Sequence, residues 1–190
     1  MDQEYVAIQS SNNEIDVNPA SKSNYQSTAQ LQAYKHTTET LPVTITMEQA
    51  LSLNEFEAFV SRYGVMVEGY QLRQLEQLPD GTYDRITLMA SPKRGKLIPE
   101  GLSELRESPN FIGVIAIYGN LPGQAYERTS NDKNVFTADI TAQLLKEELQ
   151  GNRQIEDMVS SRKVTIDVNV PNLYWELEDA GIVQYDEAIN

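Results

Sequence analysis

The residues able to do chemistry are few and scattered. The only histidine, His36, stands in "KHTTET" with no ligand partner at metal spacing, and the chain has no cysteine. Zinc sites need several imidazole or thiolate ligands, and Ser-His or Cys-His catalysis needs a base beside its nucleophile, so both chemistries drop out. Disulfides go with them. Catalysis by carboxylates alone survives that filter. Glu55, Glu57, Glu100, Glu104 and Glu107, however, fall on helix surfaces, where solvation accounts for them. The chain reads as non-enzymatic, with no catalytic residue and no cofactor.

Binding chemistry is better represented. "TSNDKNVFTAD" offers Asn131, Asp132, Asn134 and Asp139, oxygen donors of the kind calcium takes. The glycine and closing glutamate of an EF-hand are missing, so Asp132 and Asp139 are the nearest approach to metal ligands and no metal is assigned. "SPKRGK" gathers Lys93, Arg94 and Lys96 around Gly95 just before a helical pattern, a candidate anion-binding loop without P-loop spacing. Ten tyrosines against four phenylalanines and one tryptophan make the aromatic content tyrosine-heavy. Tyr70, Tyr83 and Tyr118 fall on the expected sheet, where a half-exposed phenol can anchor a partner.

The whole-chain charge narrows the partner. Twenty-eight acidic residues against 15 basic ones leave a net charge of -13 over 190 residues, which repels nucleic-acid backbones and anionic lipid surfaces. No basic residue follows Lys163, while Asp167, Glu176, Glu178, Asp179, Asp186 and Glu187 do, an acidic surface and tail. No window has the 18 or more apolar residues of a membrane span. Residues 1–40 hold one leucine and no Phe or Trp, and read as a polar, poorly ordered leader of the sort that follows a removed signal or anchor helix. An extracytoplasmic or secreted location is favoured on that ground.

The elements that must position these groups follow from periodicity. In "LPVTITM", Val43, Ile45 and Met47 alternate with Thr44 and Thr46, the signature of a half-buried strand. "LSLNEFEAFVSRYG" is a helix with Ser52 and Glu55 at capping-box spacing and Gly64 as its stop. "VMVEGYQLRQLEQL", a "PDG" turn and "YDRITLMAS" make a hairpin. Pro99 opens a second helix with Leu102 and Leu105 inward, and Pro109 ends it. "FIGVIAIYG" is apolar on both faces and belongs at the sheet centre. Residues 41–121 thus predict a ferredoxin-like split βαβ unit, an antiparallel sheet with two helices on one face. Residues 122–190 predict a smaller α/β extension, with a loop over 120–134, then "VFTADITAQLLKEELQ" as strand and helix. "KVTIDVNVP" is a further strand, and "NLYWELEDAGI" a short helix or turn with Leu173, Trp175 and Leu177 against the body. This extension adds to the first sheet or caps its helices.

"LIPEGLSELRESPNFIGVIAIYG", residues 97–119, resembles the end of subtilisin-propeptide-type inhibitor domains. Leu97, Pro99, Glu100, Leu102, Leu105, Pro109 and Val114 carry the pattern of a last helix, a Ser-Pro corner and an apolar strand. The resemblance implies a ferredoxin-like fold and protease inhibition. Such propeptides end in a cleft-filling tail before their protease domain, whereas here the strand runs on into the extension read above.

These residues favour an α+β module that binds a protein or peptide through its sheet face or an edge strand, with acidic surroundings selecting a basic or neutral partner. Two alternatives stand beside it, a propeptide-like protease inhibitor and a small-ligand or cation sensor using the 92–96 or 131–139 loops.

Overall fold

Ser52 begins the first helix as a capping box requires: its hydroxyl accepts from the Glu55 amide, and the Glu55 carboxylate accepts from the Ser52 amide at 2.9 Å. Two of the four orphan amides of the first turn are thereby satisfied. The helix, α1 (Leu53–Tyr63), buries Leu53, Phe56 and Phe59 and ends at Gly64, whose left-handed φ of 66° closes it with an amide bonded to Val60. The computed structural model describes residues 6–9, 39–150, 166–183 and 185; His36, Val164, Asp186, Glu187 and most of the leader lie outside them.

The strands are β1 (Val6–Gln9), β2 (Thr40–Leu51), β3 (Met66–Gln77), β4 (Tyr83–Ala90), β5 (Phe111–Pro122), β6 (Val135–Asp139) and β7 (Ile166–Asn169). The remaining helices are α2 (Glu100–Ser103), continued by a 3-10 turn over Glu104–Glu107, α3 (Gly123–Ser130), α4 (Thr141–Gln150) and α5 (Tyr174–Asp179). Five strands form one antiparallel sheet in the order β4-β3-β5-β2-β6, and β1 pairs in parallel with β7. The fold is α+β. Among the described residues no helix is long and apolar enough to cross a membrane.

The expected unit differs in strand order. In a ferredoxin-like sheet the third strand separates the two that the first helix connects; here β5 separates β2 from β3, and β4 sits at the edge. The side chains account for the exchange. Val114, Ile115, Ala116 and Ile117 are all fully buried, so β5 needs cover on both faces and takes the centre, while β4, carrying Asp84 and Arg85, tolerates an edge.

Two further expectations change. The second helix is shorter than its pattern, because Pro109 forces Ser108 into extended backbone (ψ 122°) and the preceding turn tightens to 3-10 geometry. Residues 120–134, expected as a loop, contain α3. Its Ala125, Tyr126 and Thr129 are buried on one side, and the Tyr126 hydroxyl donates to the Ala138 carbonyl at 3.1 Å. Tertiary burial overrides the turn-forming composition there.

The sheet has two unlike faces. On one, Tyr70, Leu72, Ile45 and Ile117 stack against α1, with the Phe56 and Tyr70 rings 4.7 Å apart. That face is an ordinary apolar core. On the other lie Thr44, Thr46, Gln71, Arg73, Thr87 and Tyr118, and residues 170–178 cover them through hydrogen bonds. Thr44 and Thr46, expected on an exposed face, are therefore buried as well.

Close strand approach leaves no room at two glycines of β5. A Cβ on Gly119 would stand 2.2 Å from the Met66 carbonyl oxygen, and one on Gly113 2.4 Å from that of Leu51. Backbone, not a flexible side chain, is what each would meet. Gly119→Ala should therefore destabilise the fold by about 1–3 kcal/mol, the usual range for overpacking, read as a lower midpoint in urea at unchanged slope.

Candidate functional site

Arg73 is the largest fully buried side chain described, and it projects from the middle of β3 into the polar face. A buried guanidinium is tolerated only when paired and hydrogen-bonded. Its Nη2 donates to Glu178 at 2.6 Å and its Nη1 to the Thr87 hydroxyl at 2.6 Å, while its plane lies 4.2 Å from the centre of the Trp175 ring. Nε has no hydrogen-bond partner among the described residues. Arg85, on the hairpin partner strand, reaches the same Glu178 oxygen at 3.2 Å and Asp179 at 2.8 Å, and also stacks on Trp175 at 4.4 Å.

Glu178 completes the cluster by accepting from the Tyr185 hydroxyl. Burial pushes that phenol well above its ordinary value, and the carboxylate beside it pushes the same way. Tyr174, buried below, is raised to about 12 by the same loss of solvation. Both stay protonated at neutral pH. Two guanidiniums thus meet two carboxylates, and the cluster is electrically balanced.

Upstream of α5, the chain crosses the sheet as a strap. The Thr44 hydroxyl donates to the Val170 carbonyl at 3.0 Å, and the Leu173 amide donates to the Thr46 hydroxyl at 3.1 Å. Asn172 donates from Nδ2 to both the Tyr118 oxygen (2.7 Å) and Gln71 Oε1 (2.9 Å), while its Oδ1 accepts from the Tyr174 amide. Leu173 and Leu177 pack with Phe136 at the far side.

Between this strap and the edge strand an open cleft of about 690 Å³ remains, lined by Gly69, Gln71, Met89, Tyr118, Pro171, Asn172, Trp175 and Glu176. Its floor is the sheet at Gly69, Gln71 and Tyr118. Met89, 66% exposed, stands on one side, and Trp175, 38% exposed and the chain's single tryptophan, on the other. Burial raises the Tyr118 phenol above its ordinary value against the pull of Asn172, so its O–H remains a donor. Glu176 is the ionisable carboxylate of the lining, and its Oε2 is buried without a hydrogen-bond partner among the described residues.

The three tyrosines expected as anchors separate. Tyr118 lines the cleft, Tyr83 is 37% exposed at the hairpin end, and Tyr70 is fully buried, its hydroxyl donating to the Leu97 carbonyl at 3.1 Å. Tyr70 therefore belongs to the core. Lys93, Arg94 and Lys96 do come together. They line a second cavity of about 290 Å³ with Pro99, Glu100 and Gly101, on a tight turn in which Lys93 and Lys96 exchange backbone hydrogen bonds. Arg94 and Gly95 both take positive φ (53° and 76°), and Lys96 pairs with Glu100 at 2.5 Å.

Asp132 and Asp139 are occupied by their own chain. Asp132 accepts from the Tyr63 hydroxyl at 2.6 Å and the Asn134 amide at 2.9 Å, and Asp139 accepts from the Thr141 amide at the start of α4. Burial would raise the Asp132 pKa, but the Tyr63 and Asn134 donors and the Arg62 and Lys133 charges bring it below the ordinary carboxylate value. Among the described residues no three His, Cys, Asp or Glu side chains are grouped to hold a metal.

Sequence reasoning missed Arg73, Arg85, Met89, Gly69 and the strap. One signal was present: an arginine inside an otherwise burial-patterned strand needs a carboxylate, and "ELED" supplies three beside a tryptophan. Glu178→Gln keeps the shape but strands the Arg73 charge, and should cost about 3–5 kcal/mol. Replacing both partners by apolar residues, Arg73→Met with Glu178→Leu, should cost less than the single change; equal or greater loss in the double variant would show that the ion pair does not govern stability here.

Comparison with models of known families, with curated proteins and with solved structures finds no match to this chain.

Proposed function

We propose that this chain is a non-enzymatic binding module that takes up an extended protein or peptide segment along β4, with side chains entering the Met89–Trp175 cleft. The observation that carries the reading is the cleft's position. It opens beside an edge strand to which, among the described residues, no further strand is hydrogen-bonded, and exposed aromatic and thioether surface meets donors that no described residue engages. An added strand would satisfy the outer amides and carbonyls of β4. Side chains of the segment, reaching inward over β4, would meet the Tyr118 O–H and the Gln71 amide on the floor. A soluble extracytoplasmic setting, suggested by the polar leader, fits a module of this kind.

Gly69 offers a clean test. A Cβ there would stand 3.5 Å from the Ala90 carbonyl and 3.9 Å from Met89 Sδ, ordinary contacts, so a larger side chain fills the floor without straining the sheet. Gly69→Leu should leave the melting temperature within a few degrees while weakening binding of an extended peptide by tenfold or more. Binding is read by hydrogen exchange, in which the β4 amides gain protection only in the parent. Undiminished binding by the variant would remove the cleft from the function.

A second reading rests on the convergence of Lys93, Arg94 and Lys96 on one cavity, which suits a small anion. Inorganic phosphate at millimolar concentration should raise the melting temperature relative to chloride of equal ionic strength, because a ligand of the folded state alone must stabilise it. The rise should vanish in Lys93→Ala with Arg94→Ala, and no rise in the parent would dismiss the site.

A further inference from the structure

The charges around the cleft identify what kind of side chain enters it, given the peptide-binding reading above on which this inference rests. Four ionised groups lie just beyond the cleft, Arg73, Arg85, Glu178 and Asp179, and they neutralise one another in direct contact. Glu176 is left over. It is one helical position from Trp175, lines the cleft, and carries an oxygen shielded from water with no donor supplied by the described residues. No ion pair among the described residues engages that carboxylate, so a cation entering the cleft would find on its wall a negative charge without a counter-ion from the chain itself.

Trp175 already carries the Arg73 and Arg85 guanidiniums, so its part here, with Tyr118 and the soft Met89 Sδ, is apolar surface along which a long aliphatic stem can lie. An anion would meet an unneutralised carboxylate instead, inside a chain of net charge -13.

We infer that the cleft is a specificity pocket for a lysine or arginine side chain of the bound segment, its cation paired with Glu176 and its stem lying between Met89, Tyr118 and Trp175. A neutral residue of the same length gains the stem contacts alone. An acidic residue is rejected. Because such a charge-assisted bond forms in a partly desolvated cleft, it is worth far more than an exposed surface pair.

The single tryptophan makes the test direct, since Trp175 emission reports the cleft without a label. The probes are acetyl-Thr-Val-Xaa-Val-Thr-amide peptides with lysine, norleucine or glutamate at the centre, titrated against the full chain. The lysine peptide should bind about tenfold or more tightly than the norleucine peptide, with the glutamate peptide weaker still. Glu176→Gln, checked for an unchanged melting temperature, should erase the lysine preference and leave norleucine binding intact. Lysine and norleucine peptides of equal affinity, or a preference that survives Glu176→Gln, would overturn the cation pocket while leaving peptide binding standing. No peptide altering Trp175 emission or β4 exchange at millimolar concentration would overturn both.

Discussion

A guanidinium inside a β-sheet face has to be answered by specific partners, and Arg73 fixes the arrangement of everything on that side of the protein. Its two Nη groups point at Thr87 and Glu178, so α5 must lie across β3 and β4 with Glu178 facing down. That placement puts Trp175 against both arginines and Glu176 into the cleft wall. The cleft is the space left between a helix located by an ion pair and an edge strand located by a hairpin. Moving the pair would move the helical wall and leave the strand where the hairpin holds it.

The two faces of the sheet are held by different physics. Against α1 the contacts are non-directional: Phe56, Tyr70, Leu72 and Ile117 bury area, and a modest change of angle would preserve most of it. Against the strap they are directional, hydroxyl to carbonyl and amide to amide, and a shift of one residue would break several bonds together. The apolar face supplies cohesion. The polar face supplies register, and register is what a site built across sheet and strap needs.

Much of the scaffold was legible because it follows from short-range rules. Ser52 with Glu55 and Gly64 marked both ends of α1, "PDG" marked the hairpin, and the doubly apolar "FIGVIAI" marked the central strand. What escaped depended on distant partners. The alternation of Thr44 and Thr46 cannot reveal that residues 170–173 will cover them, so a strand buried on both faces looked half-exposed. Strand order escaped for the same reason, since local pattern identifies β4 and β5 but not which of them sits beside β2. Tyr118, singled out because tyrosine on a strand is a recognisable anchor type, lines the cleft. Tyr70 was indistinguishable from it until Phe56 and Leu97 were seen around it.

The strap also bears on how the chain is made. Arg73 and Glu178 are 105 residues apart, and Thr44 and Val170 are 126 apart, so a ribosome exposes the sheet strands long before their cover is synthesised. During that interval the uncovered face presents threonine hydroxyls, a glutamine amide, a tyrosine hydroxyl and a guanidinium, all of which water solvates well. An apolar face left open for as long would invite association between nascent chains. By closing with polar contacts on the side that must wait, the protein leaves its unfinished form wettable.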